Sequence, residues 1–204
     1  MKKVLFVACL LVAALLTSRC DLFGGKDDFF PMGAGSIWNY TWMMIVTVGG
    51  GAPDTTSATV RTEAKAEDQI GGEDVMMFVN TYTDSGSHYD TSYAKKNDDG
   101  LWMYSDKNDT TPDQLLAFPL EVNKTWTVNS DNTAKAIGQE SVTVPAGTYG
   151  KAWKIEYSMV TDSDTFKFYQ WFASGTGFVK YLSEASDSLM SMTIKEELSS
   201  ATIK

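Results

Sequence analysis

The sequence has 204 residues, with 26 acidic against 17 basic side chains, an aromatic content of 12% and two cysteines. That length suits one domain with a sizeable core. An acidic chain without a basic stripe repels phosphate backbones, so nucleic acid is set aside as a partner.

Lys2 and Lys3 precede an unbroken apolar run from Val4 to Leu16, followed by Thr17-Ser18-Arg19-Cys20. The run is too short to span a bilayer comfortably and matches a secretory signal. Leu16, Thr17 and Ser18 before Cys20 resemble the bacterial lipobox, whose cysteine is lipidated and becomes the new N-terminus. Arg19 departs from that pattern, which usually has Gly or Ala there, and the rival reading is ordinary cleavage with a soluble product. Asp21 resembles the inner-membrane retention signal of some bacterial lipoproteins. Residues 1–19 are thus read as signal peptide, 20–29 as a lipid-anchored tether rich in Gly and Asp, and 30–204 as one β domain. Loss of Lys2, Lys3 and Arg19 leaves 14 basic residues and a net charge near −12. Cys9 lies in the signal, so no disulfide framework is available and a packed core must supply stability.

From Ser36 the chain alternates, with Trp38, Tyr40, Trp42, Met44, Val46 and Val48 on one face of a long predicted strand. Gly49-Gly50-Gly51-Ala52-Pro53 ends it. Ser57 to Glu67 and Val75 to Thr83 form a pair across Gly71-Gly72, and Ser87 to Lys95 pairs with Leu101 to Ser105 across Asn97-Asp98-Asp99-Gly100. Gln114 to Leu120 is short, apolar and Pro-terminated, and reads as a helical turn or a bulged edge. Lys124 to Val128 and Ala134 to Val144 form a further pair. Strand-like runs around Ala152–Tyr157 and Tyr169–Tyr181 follow a Pro145-Ala146-Gly147 corner and contain the Gly175-Thr176-Gly177 passage, and Ser188 to Leu198 closes the chain. Turns every 8–12 residues or so predict an all-β fold. The expected architecture is a single antiparallel sheet curved into a half-barrel or barrel-like sandwich of about ten or eleven strands.

Three stretches resemble a group of bacterial envelope proteins, many of them lipoproteins. They are Phe118-Pro119-Leu120 with Lys124-Thr125-Trp126-Thr127, Val144-Pro145-Ala146-Gly147-Thr148-Tyr149, and the W-F-A-x-G-x-G-x-V-K run from Trp171 to Lys180. The likeness extends from about Phe30 to the C-terminus. Asn123 stands where the pattern usually has Gly, and Asn tolerates a left-handed backbone better than other side chains. The resemblance implies a curved half-barrel similar at fold level to lipoprotein carriers, whose concave face holds acyl chains; fold alone does not fix function.

No catalytic constellation emerges. His88, the only histidine, sits among Ser87, Tyr89, Asp90 and Ser92 and reads as an exposed strand residue. Asp106-Lys107-Asn108-Asp109 lacks the glycine and terminal Glu of a calcium loop, so no metal or other cofactor is expected. Glu63, Glu73, Glu121, Glu140 and Glu156 lie at strand positions without a known separation, the quantity glycoside chemistry depends on. The unusual feature is aromatic: Trp38, Tyr40, Trp42, Met44, Trp102, Trp126, Trp153 and Trp171 are candidate ligand-lining residues, with plain core packing as the alternative. The leading expectation is a non-enzymatic envelope lipoprotein on the periplasmic side of a membrane. Its partners are the membrane through Cys20 and a hydrophobic or lipidic ligand on the concave face. The alternatives are an assembly factor meeting a protein partner at a sheet edge, and a carbohydrate-binding surface. Cys20→Ala is expected to release the protein from membranes in a fractionation assay; unchanged partitioning would rule out the lipid anchor.

Overall fold

Side chains in an extended chain point alternately to opposite faces, so a run with large apolar groups at every second position buries one face by pairing with neighbours. The computed structural model describes residues 28–83, 86–160 and 165–204. The expected leader, Cys20 and the tether up to residue 27 lie outside the described residues. Twelve strands form among the described residues. They are β1 (Ile37–Val48), β2 (Asp54–Ile70), β3 (Glu73–Thr83), β4 (Ser87–Asn97), β5 (Gly100–Tyr104), β6 (Asp113–Ala117), β7 (Thr125–Thr127), β8 (Asn132–Val144), β9 (Gly147–Val160), β10 (Thr165–Ala173), β11 (Gly177–Ser186) and β12 (Met190–Thr202). All belong to one antiparallel sheet in the order β6-β5-β4-β3-β2-β1-β12-β11-β10-β9-β8-β7. The segment expected as a helical turn or bulged edge is the edge strand β6, with a register shift opposite Leu101/Trp102. It brings the count to twelve.

A sheet this long twists and coils until its ends meet. Here β6 and β7 face each other across one seam. The Gln114 N–H donates to the Val128 carbonyl at 3.0 Å. Beyond that bond, side chains satisfy the carbonyls of β6 and the loop after it. Trp126 Nε1 donates to the Gln114 carbonyl at 3.0 Å and the Tyr157 hydroxyl to the Leu115 carbonyl at 2.8 Å. Lys124 Nζ donates to the carbonyls of Ala117, Phe118 and Pro119 at 3.0, 2.9 and 2.9 Å. Asn123 holds a φ of 69°, so the asparagine does take the left-handed conformation expected of glycine at that turn.

The barrel is closed at one end only. Trp38, Phe78, Leu101, Leu116, Trp126, Ile155, Tyr157 and Phe172 fill the closed half. The strap Asp28–Ser36 crosses its end: Phe30 stacks on Trp38 and meets Phe78 edge-on. Lys96 Nζ donates to Asp28 Oδ1 and to the Phe30 carbonyl, both at 2.7 Å. Asp28 and Phe29, expected in the tether, therefore pack on the barrel. Gly177 holds a φ of 95°, and a Cβ there would lie 3.3 Å from Pro31, so the Gly-x-Gly passage is where strap and barrel touch. The Pro-Ala-Gly corner between β8 and β9 folds onto β12, with the Ala146 N–H donating to the Leu198 carbonyl at 2.9 Å.

In the other half the sheet is open. β5 pairs with β4 only from Tyr93 to Asn97, which leaves Ser87–Ser92 without a strand on that side among the described residues. β1, β2, β11 and β12 run on past the seam and form a trough.

Lys124→Met keeps the aliphatic stem but removes three charged donors. It is expected to lower stability by about 2 kcal/mol in urea unfolding, through carbonyls left without partners at the seam.

Candidate functional site

The inner face of the trough is set by strand register. Trp42 and Met44 of β1 stand opposite Glu196 and Ile194 of β12, and Tyr181 of β11 flanks Glu196 on its other side. At the boundary with the closed half lies a cavity of about 230 Å³. Its apolar lining includes Phe30, Trp38, Tyr40, Val60, Phe78 and Phe172, and its polar lining Thr62, Asn80, Tyr82, Gln170 and Glu196. Toward the open rim the same face presents Val46, Met192 and Phe168, then Val48, Met190, Phe166 and Met159, the last four exposed. Exposed apolar groups aligned along one concave face are the usual mark of a binding surface.

Most of the polar floor is already paired. Thr62 Oγ1 donates to Asn80 Oδ1 at 2.8 Å, and Asn80 Nδ2 donates to Asp90 Oδ1 at 2.9 Å. The Tyr82 hydroxyl donates to Asp90 Oδ2 at 3.2 Å, and burial beside that carboxylate pushes its pKa up to about 12. Two groups remain. Gln170 Oε1 is buried without a hydrogen-bond partner. Glu196 makes no hydrogen bond or ion pair among the described residues, and burial alone raises its carboxyl to about 7.

The aromatic candidates divide. Trp38 and Tyr40 line the cavity while spending their polar atoms on β11 and the turn before it: Trp38 Nε1 donates to the Thr176 carbonyl at 2.7 Å, the Tyr40 hydroxyl to the Phe178 carbonyl at 3.2 Å. Trp42 and Met44 continue the same face. Trp126 is buried at the seam. Trp153 faces a second, larger cleft of about 680 Å³ under the strap, beside Phe29, Phe118, Pro119 and Leu120. Trp102 and Trp171 lie on the outer face, which corrects their grouping with the lining residues. Lys95 sits over Trp102. Lys154 and Lys180 sit over Trp171, whose Nε1 donates to Glu140 Oε1 at 2.7 Å. Strand alternation decides this, because Gln170 and Phe172 point inward and Trp171 between them cannot.

Four of the five glutamates singled out by sequence are engaged on the outer face, while Glu121 lies in the exposed loop between β6 and β7 and not on a strand. Glu63 pairs with Arg61 and Lys65, Glu73 with Lys95, and Glu156 with Lys167. Asp109 accepts from Ser105 and Thr111 and serves its own turn. His88 is exposed and stacks on Tyr82 at 4.8 Å. The interior carboxyl is Glu196, which sequence reasoning passed over. Its signal was phase: in Met192-x-Ile194-x-Glu196-x-Leu198 an acid holds an inward position of the strand.

A profile of the DUF3108-like family matches residues 104–195. No curated protein matches the chain. Among solved structures the chain is similar to a candidate exported protein with a YmcC-like fold from Bacteroides fragilis. The TM-score is 0.52 and the identity 16%, covering 85% of this chain and 98% of that one. It is also similar to a candidate lipoprotein from Parabacteroides distasonis, with a TM-score of 0.48 and 14% identity over 85% and 98%. The first likeness shows a shared fold, and fold alone leaves function open.

Because the folded state binds a proton at Glu196 more tightly than the unfolded chain, stability falls as pH rises from about 4.5 to 7 and stays low above that. Glu196→Gln is expected to remove this slope and to be more stable than the parent at pH 8 by about 2 kcal/mol, read from urea midpoints at pH 5 and 8.

Proposed function

We propose that this chain is a non-enzymatic protein of the bacterial cell envelope that holds a hydrophobic or lipidic ligand in its trough. The observation that carries the reading is an apolar stripe along the inner face. It runs from Trp42, Met44 and Ile194 to exposed Val48, Met190 and Phe166 at the rim. A barrel with no use for that face would close over it, as the other half of this sheet does. The leader with Lys2, Lys3 and the Val4–Leu16 run supports export, and so does the description of the structural neighbour as exported. Lipidation at Cys20 would tie the chain to the membrane from the periplasmic side. Asp28 lies at the closed end, and the eight residue steps from Cys20 to Asp28 reach at most about 28 Å. The closed end then faces the membrane and the trough opens away from it. The outer-face pairing of Glu63, Glu73 and Glu156 supports a binding role over catalysis, since those carboxylates are held by lysines or arginine.

A protein partner adding a strand is the second reading. The observation that favours it is the stretch of β8 beyond Ala136, which β7 leaves unpaired because their ladder ends at Lys135.

Native mass spectrometry of the protein purified from a periplasm tests the two. An apolar adduct lost on unfolding, and absent from an Ile194→Glu variant that remains folded, is the expected result. A clean apo mass from the parent would overturn the ligand reading, and crosslinking in the envelope would then test the β8 edge.

A further inference from the structure

The floor of the trough carries acceptors without donors. Glu196 points inward between Trp42 and Tyr181, and Gln170 Oε1, also lining the 230 Å³ cavity, is buried and unpartnered. No lysine or arginine is among the residues lining that cavity. The basic side chains on the strands nearest Glu196 face outward, where Lys180 and Lys195 both reach Glu197. The titratable side chains that face Glu196 from the neighbouring strands include no lysine or arginine. Tyr40 comes from β1, Tyr181 from β11, and Tyr82 from β3 with Asp90 and His88 of β4 around it. Tyr149, at the start of β9, lies near enough to Tyr40 to raise its hydroxyl. A buried carboxylate with no counter-charge is costly, and a bound cation that also donates hydrogen bonds removes the cost.

Building on the trough as a site for apolar chains, we propose that it selects amphiphiles with an ammonium head group. The head donates to Glu196 and Gln170, and the tail lies along Trp42, Met44 and Ile194 toward the open rim. The occupant is thereby distinguished from a fatty acid, whose carboxylate would meet Glu196 and Asp90, and from a neutral alcohol, which would gain hydrogen bonds but no charge pairing. Binding of the cation is linked to loss of the Glu196 proton, so its affinity rises with pH up to about 8, whereas that of a fatty acid falls over the same range.

Titration of the intact protein with dodecylamine, 1-dodecanol and dodecanoate below their micellar concentrations, followed by tryptophan fluorescence at pH 6 and 8, tests this. Dodecylamine is expected to bind about tenfold more tightly than dodecanol at pH 8, the equivalent of one well-formed charge pair. Glu196→Gln is expected to bring the two within about twofold, mainly through weaker dodecylamine binding. Glu196→Asp, which keeps the charge, retains the preference, and Glu121→Gln in an exposed loop leaves it unaltered and so separates site binding from general attraction to an acidic surface. Equal affinities in the parent, tighter dodecanoate, or a preference that survives Glu196→Gln would overturn the head-group assignment while leaving the trough as an apolar site. If none of the three binds, the ligand reading itself falls with it.

Discussion

A single sheet has two edges, and every unpaired peptide group on them must find a partner or water. In this protein that constraint is met at one seam. β6 and β7 are too short to zip together along their length, and a single backbone bond from Gln114 to Val128 joins them. The remaining carbonyls of β6 are taken by the Trp126 indole, the Tyr157 hydroxyl and the Lys124 ammonium. Three long side chains thus do what a thirteenth strand would otherwise do. They hold the barrel shut over the aromatic core, and no cysteine lies among the described residues to reinforce it.

Closure at the seam also decides where the protein is open. Because β5, β6 and β7 are short, they span only one half of the longer strands. β1, β2, β11 and β12 extend beyond them with the same alternation, so their apolar face has nothing opposite it. The closed half, capped by the strap and by Phe30 against Trp38 and Phe78, is filled by its own side chains. The trough is therefore a product of unequal strand lengths in one sheet. Glu196 lies where the two halves meet, close enough to the core to be desolvated and close enough to the opening to meet a ligand.

The outer face follows a different logic. Lysines lie over Trp102 and Trp171 and pair with Glu73, Glu140 and Glu197. Large rings on the convex side are covered by the aliphatic stems and charges of neighbours, which keeps an aromatic-rich surface from associating with itself. The aromatic content noted in the sequence thus serves three purposes: core, seam and covered exterior. Of the residues singled out as ligand-lining, Trp38, Tyr40, Trp42 and Met44 belong to the wall of the trough and its cavity, where Phe30, Tyr82, Phe172 and Phe178 join them.

The all-β class, the order of the turns and the strand phases were legible in the sequence, because period-two alternation and Gly, Pro, Asn and Asp turn chemistry are local properties. Asn123 shows how far local chemistry reaches: its left-handed φ of 69° followed from the tolerance of asparagine for that conformation. The inward phase of Glu196 was also present in the alternation of β12, although nothing local distinguished it from the acids of other strands. What alternation does not carry is which of its two faces becomes the inside. Trp171 and Trp102 share their residue type with Trp38, yet lie on the convex side. Strand length relative to distant partners decided the rest: that β6 and β7 meet, that one half of the sheet stays open, and that a carboxyl remains unpaired at its floor. Those outcomes depend on residues far apart in sequence closing one sheet on itself, and only the tertiary structure brings them together.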